Sequence, residues 1–298
     1  MPLPQSPLTP TSTVSGSIYD PGRYVSAASG EWMAVDIERA HRRYGAYAGF
    51  VTTPKYFDDS PQQFLQVAPQ RTGIVQRVLS VPDYRYELDQ RSQNFHLLEE
   101  GHLALAASDC EGVGQAGSNW VHCQGTTGPA EIEAFCDRLH TETGVRFFMA
   151  GHCLVEGLRA IGATTITVVN GYYRPDWSAG INGYLEAAGF DILWSGDLID
   201  QGLVADHEEK LAIEAATLWD YPDDLMIRAS VDAHERAPEA DAIVQTGAGF
   251  RMLQVVDAAE GATGTPVVAS DIALYWAMLR ELNLTATHGH GSLLASLR

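Results

Sequence analysis

Two stretches of this chain pass through the same parts in the same order, and that repetition limits the fold more than any other feature. The first opens on Val121-His122-Cys123-Gln124-Gly125-Thr126-Thr127-Gly128, continues through a helical pattern, and closes on ETGVRFFMAGHCLVEGLRAIG. The second opens on Ile243-Val244-Gln245-Thr246-Gly247-Ala248-Gly249-Phe250, continues likewise, and closes on ATGTPVVASDIALYWAMLRELN. Each reads strand, glycine-rich turn, helix, Thr-Gly stop, strand, and a helix with a Leu-Arg pair. Strands that alternate with helices at this spacing form parallel sheets in an α/β fold. The repeat therefore predicts two similar parallel-sheet α/β domains, with the two glycine-rich turns meeting across a cleft, a usual place for a small-molecule site.

The remaining pattern extends this plan. Strands are expected at Tyr47–Pro54, Gly73–Val81, up to Cys123, Val145–Ala150, Thr164–Val169, Phe190–Trp194, Ala240–Gln245 and Pro266–Ala269, mostly as short β-branched or apolar runs. Helical spacing appears over residues 31–44, 94–109, 129–143, 154–161, 177–188, 207–219, 225–234, 251–260 and 272–282, several of them stopped by glycine. Pro61 to Gln70 reads as irregular. Residues 1–44 begin with a run rich in Pro, Ser and Thr and read as a partly disordered arm laid on the surface or on a partner subunit. The predicted division is this arm, a first α/β domain of residues 45–149 plus 272–298, and a second of residues 150–271.

Charge excludes whole classes of partner. With 38 acidic against 19 basic residues the net charge is −19. Nucleic acids and anionic membranes both ask for a basic footprint, so neither is an expected partner. A small carboxylate remains compatible, because a nest of N–H groups and hydroxyls binds an anion inside an acidic protein. The 4 cysteines form no C-x-x-C pair, and no signal peptide or membrane span is evident. We expect a cytoplasmic protein without a metal site, assembled as a dimer or tetramer.

Cys123 is the first candidate for chemistry. It precedes a turn of small and hydroxylated residues before a predicted helix start, where N–H groups and the helix dipole favour an anion and a thiolate. The alternative is a small packed cysteine at a strand end. Gln124, Gly125, Thr126 and Thr127 supply turn donors for a carboxylate, or serve simply as turn and cap residues. His122 is a candidate base beside the thiol, and His152 a second, though each also reads as a hydrogen-bonded histidine at an element end. Cys153 is the alternative nucleophile, whereas Cys110 and Cys136 read as structural. Arg174 suits either a second carboxylate or an ion pair with Asp176. His288-Gly289-His290 is too short to argue for a metal.

These residues resemble a known group. From Tyr47 to Leu284 the chain resembles the aspartate/glutamate racemase superfamily, and within it the branch of maleate cis–trans isomerase and arylmalonate decarboxylase. The segments that carry the resemblance are Gly144–Gly189, with TGVRFFMAGHCLVEGLRAIGATTITVVNGYY, and Asp241–Leu282. The resemblance implies two domains related by a pseudo-twofold axis, each offering a cysteine to the cleft, and no cofactor. It implies that Tyr172 donates to a substrate carboxylate, that Thr53 lines the cleft, and that Gly247 and Ala248 supply backbone N–H groups from the second half. The first family cysteine is matched to Cys123, although Gly125-Thr126-Thr127 also matches the decarboxylases' Gly-Thr-Ser turn. The second position falls on Gly247, which departs from the family pattern and argues against a two-base racemase. The implied activity is cis–trans isomerisation of a maleate-like acid through the Cys123 thiolate. The alternatives are decarboxylation of a malonate-type acid, one-base proton exchange, and a non-catalytic carboxylate-binding relative.

Overall fold

The computed structural model describes residues 44–54, 58–125, 128–171, 174–217, 220–247 and 250–297. The chain divides into two units, Met1–Gly45 and Ala46–Arg298. The arm expected over residues 1–44 and its helix lie, save for Tyr44, outside the described residues. The elements of the second unit run β1 (Ala46–Thr52), α1 (Ser60–Val67), β2 (Thr72–Val78), α2 (Leu88–Gln93), α3 (His96–Ala106), β3 (Gly112–Gln115), α4 (Pro129–Thr143), β4 (Arg146–Met149), α5 (Ala150–Ala160) and β5 (Thr165–Gly171). They continue α6 (Pro175–Ala187), β6 (Asp191–Asp197), α7 (His207–Thr217), α8 (Asp223–Arg236), β7 (Ala242–Gln245), α9 (Val256–Thr263), β8 (Val267–Ala269), α10 (Ser270–Glu281) and α11 (Gly291–Ala295).

The strands make two four-stranded sheets, ordered β2-β1-β3-β4 and β6-β5-β7-β8. All six strand pairs are parallel. The two orders are the same arrangement stepped on by four strands, so the repeat seen in the letters is a repeat of topology. The central strands are covered on both faces, and Phe50, Val113, Ile166, Val168, Ile243 and Val244 have no exposure. Sheet ends are tied by side chains as well: the Asp241 carboxylate accepts from both the N–H and the hydroxyl of Thr164 and of Thr165, at 2.8 to 2.9 Å.

α10 explains how the halves hold together. It is buried from Ser270 to Leu279. It packs on β3 and β4 of the first sheet, on β8 of the second, and on α5. A helix apolar on every side belongs in a core. Two expectations change at the fold level. Pro61 to Val67 is helical rather than irregular, with a proline in its first turn and Phe64 and Val67 on its buried face. The strand predicted to reach Cys123 stops at Gln115, and Ser118–Trp120 form a 3-10 turn. Trp120 and Val121 are apolar because the loop is buried, not because it is a strand.

Candidate active site

The two halves meet at a pair of equivalent turns. Gln115 ends β3 and Gln245 ends β7, and the second residue after each is a glycine, Gly117 and Gly247. Both hold a positive φ, 95° and 93°, which a side chain would strain. The Gly247 N–H donates to Ser118 Oγ at 3.1 Å and to Ser270 Oγ at 3.0 Å, so the turns touch. Beside them the Asn119 Nδ2 amide is buried and unpartnered among the described residues. Thr246 Oγ1 donates to Asn170 Oδ1 at 3.1 Å, and Asn170 in turn donates to Ser195 Oγ at 2.8 Å. Those two line a cavity of ≈ 370 Å³ with Pro175, Asn182 and Asp197. Thr53, the predicted cleft residue at the end of β1, reaches the same place: its Oγ1 lies 3.3 Å from where a Cβ on Gly117 would sit. Hydroxyls and the Asn119 amide gathered at two small turns form a cradle that suits an oxyanion, with the Gly247 N–H fixing the serine hydroxyls.

This symmetry bears on the cysteine carried over from the family. The counterpart of Gly247 in the first half is Gly117, and Cys123 lies further along the same loop. Neither turn position bears a thiol. Nor is Cys123 at a helix start, since α4 begins at Pro129. Its thiol is buried and donates to the Trp120 carbonyl at 3.2 Å. Burial pushes its pKa up to about 12, against a smaller pull downward from Arg91. The dipole-lowered thiolate expected from the sequence is therefore not the resting state.

Arg91, on α2, went unremarked in the sequence, yet it occupies the centre of this region. Its side chain is buried. The guanidinium lies over the rings of Trp177, Trp120 and Tyr84, 4.7, 5.4 and 5.8 Å from their centroids. Nε donates to the Tyr84 hydroxyl at 2.5 Å, while NH1 is buried and unpartnered among the described residues. No carboxylate among the described residues pairs with it. His122 sits beside it with both ring nitrogens unpartnered among the described residues, and its ring leaves room only for glycine at Gly180 of α6. Burial first, then Arg91, pulls the His122 pKa down to about 4, so the imidazole is neutral at physiological pH.

The other predicted residues fall as follows. Gln124 and Gly125 are exposed, in a tight turn in which the Gly125 N–H donates to the His122 carbonyl at 3.1 Å. Thr126, Thr127, Tyr172 and Ala248 lie outside the described residues. His152 is hydrogen-bonded through Nδ1 to the Tyr184 hydroxyl at 2.8 Å. Cys153 is buried inside α5 rather than at its start, with its pKa raised by burial. Arg174 donates to the Arg85 carbonyl at 3.3 Å. No cluster of metal-ligating side chains and no helix long and apolar enough to cross a membrane occurs among the described residues.

Comparison with known proteins agrees with this architecture. The model of the arylmalonate decarboxylase family matches residues 125–294. No curated protein matches the sequence significantly. Among solved structures, maleate isomerase from Pseudomonas putida S16 is similar at 18% identity, covering 85% of this chain and 99% of that one with a TM-score of 0.67. Unliganded arylmalonate decarboxylase is similar at 18% identity, covering 84% and 99%, with a TM-score of 0.67. A variant of the Nocardia farcinica maleate cis–trans isomerase, with a covalently bound succinylcysteine intermediate, is similar at 21% identity, covering 84% and 98%, with a TM-score of 0.67. At these identities the shared property is the fold.

Proposed function

We propose that this chain, which belongs to the arylmalonate decarboxylase family, isomerises a small cis-unsaturated dicarboxylic acid of the maleate type, with no cofactor and with Cys123 as the reacting thiol. One observation carries the choice of thiol. The charge acting on Cys123 is the cation Arg91. Cys110 instead feels Asp109 and Glu111, and the foremost charged neighbours of Cys136 and Cys153 include Glu156. A cation favours a thiolate and carboxylates oppose it.

In this reading one carboxylate lies at the facing turns, against the Ser118 hydroxyl and the Asn119 amide, with the Gly247 N–H holding Ser118 Oγ in place. In the free protein His122 is not bonded to the thiol, so the proton passes to it only after substrate draws Sγ from the Trp120 carbonyl onto a ring nitrogen. The sulfur adds to one alkene carbon, and the π pair moves to the other carbon and into its carboxylate as an enediolate. The turn donors stabilise that charge. The carbon–carbon bond, now single, rotates. The pair returns, the carbon–sulfur bond breaks, and the trans acid leaves. The succinylcysteine seen in the Nocardia isomerase variant is the same type of adduct. A second reading has its own support: a thiol pushed up to about 12 stays protonated, which suits a proton donor to the enediolate left by decarboxylation.

Turnover of maleate and of phenylmalonate by the intact protein and by Cys123→Ser separates them. Isomerisation through a thiolate gives maleate turnover that rises with pH and falls by about 1,000-fold or more in the variant. Decarboxylation gives phenylmalonate turnover that is level from neutral to mildly basic pH. Saturable binding with no turnover of either acid refutes both and restores the carboxylate-binding alternative.

A further inference from the structure

We infer that Arg91 is the receptor for a second carboxylate, so that the site selects dicarboxylic over monocarboxylic acids. The inference rests on the facing turns being the site of the first carboxylate. Its ground is a buried cation without a counter-charge. Desolvating a guanidinium is costly, and proteins offset the cost with a carboxylate or leave the group in water. Arg91 has neither among the described residues. Its ring neighbours Tyr84, Trp120 and Trp177 give cation–π stabilisation, and Tyr84 takes one N–H. NH1 keeps its donors unused among the described residues. A planar guanidinium with an unused NH1 end can take a carboxylate oxygen, and a lysine at the same place would not reproduce its geometry.

Position supports the same inference. Trp120 and Asn119 are consecutive, so the cage begins where the first carboxylate's donors end. Trp177 comes from α6 of the second half, and Arg91 from α2 of the first. The cage thus spans the two halves as the facing turns do. Arg91 is also the cation felt by Cys123 and His122. A cis-dicarboxylate held at both ends presents the carbon bearing the Arg91-bound carboxylate to that thiol.

The test uses the full chain with maleate and isocrotonate, a cis acid of similar shape with one carboxylate. Binding is read by calorimetry and by tryptophan fluorescence, which the cage rings report. The intact protein should bind maleate at least about 10-fold more tightly than isocrotonate. Arg91→Met should bring maleate down to the isocrotonate level and leave isocrotonate unchanged. Arg91→Lys should recover only part of the difference. Ligand-free Arg91→Met should keep a cooperative melting transition, because the methionine still packs against the rings whose cation–π contact is lost. An undiminished preference for maleate in Arg91→Met overturns the inference, and so does a sharply lowered melting temperature with loss of both acids. Failure of the first-carboxylate site shows separately: Asn119→Ala would then leave isocrotonate binding untouched.

Discussion

Gly151→Ala adds one methyl group at the point where α5 meets the loop that carries the candidate site. The added carbon would lie 2.2 Å from the Ser118 carbonyl oxygen and 2.7 and 3.0 Å from the Val121 methyls. Backbone oxygen cannot rotate out of the way, so the loop must retreat by about 1 Å to regain ordinary contact. Ser118 Oγ accepts from Gly247 at 3.1 Å, close to the limit of a hydrogen bond, and that retreat breaks it. Overpacking costs about 1–3 kcal/mol and the lost bond about 1 kcal/mol, offset by about 1 kcal/mol of better helix propensity. The melting temperature should therefore fall by roughly 3–10 °C. A cradle displaced by about 1 Å should lose about 100-fold in turnover. Scanning calorimetry and maleate turnover read the two effects. Gly183→Ala and Gly261→Ala are the controls, since an added carbon meets nothing within 4 Å at either helical site. Each should gain about 0.5–1 kcal/mol and keep full activity. If Gly151→Ala behaves like these controls, the loop is not clamped by α5 and the cradle is not built as described.

Acid should destabilise the fold through two histidines. Burial holds the pKa of His102 and of His122 at about 4, below the ordinary 6.5. The unfolded chain takes up these protons as pH falls below 6.5, while the folded one does so only near 4. The histidine contribution is thus fully present above 6.5 and declines toward 4, by up to about 1.4 kcal/mol per pH unit for each, while buried Asp271, raised to about 6, opposes it below pH 6. Denaturant titrations of the intact protein and of His122→Gln across that range check it: the variant should lose less stability on acidification than the intact protein, and equal losses would refute it. Lys210 lies buried against Asp197 at 2.9 Å, so Lys210→Met should cost about 1–3 kcal/mol, measured by the same titration. An unchanged midpoint would show the pair contributes nothing.

The strands and the repeat were legible because buried β-branched runs and glycine stops are local signals. Thr164–Val169 reads as a strand on its letters alone. The turn partnership was half legible. Gly247 stood out beside its Thr246, but its counterpart Gly117 lies in GQAGSNW, which has no periodicity, and Cys123 drew attention away from it. The apolar Trp120-Val121 pair looked like strand because loop burial and strand burial leave the same letters. Ser60–Val67 was hidden by Pro61, which breaks helices inside but is welcome in a first turn. Arg91 was invisible in LDQRSQ, an ordinary polar helical stretch. Its meaning arises only when Tyr84, Trp120 and Trp177, distant in sequence, close around it.

The most direct measurement is peptide mass spectrometry of the intact protein quenched with acid while it turns over maleate. A succinyl adduct on the peptide that contains Cys123, absent after Cys123→Ser, is the predicted result. Turnover with no adduct, or an adduct on Cys110, Cys136 or Cys153 instead, would contradict Cys123 as the reacting thiol.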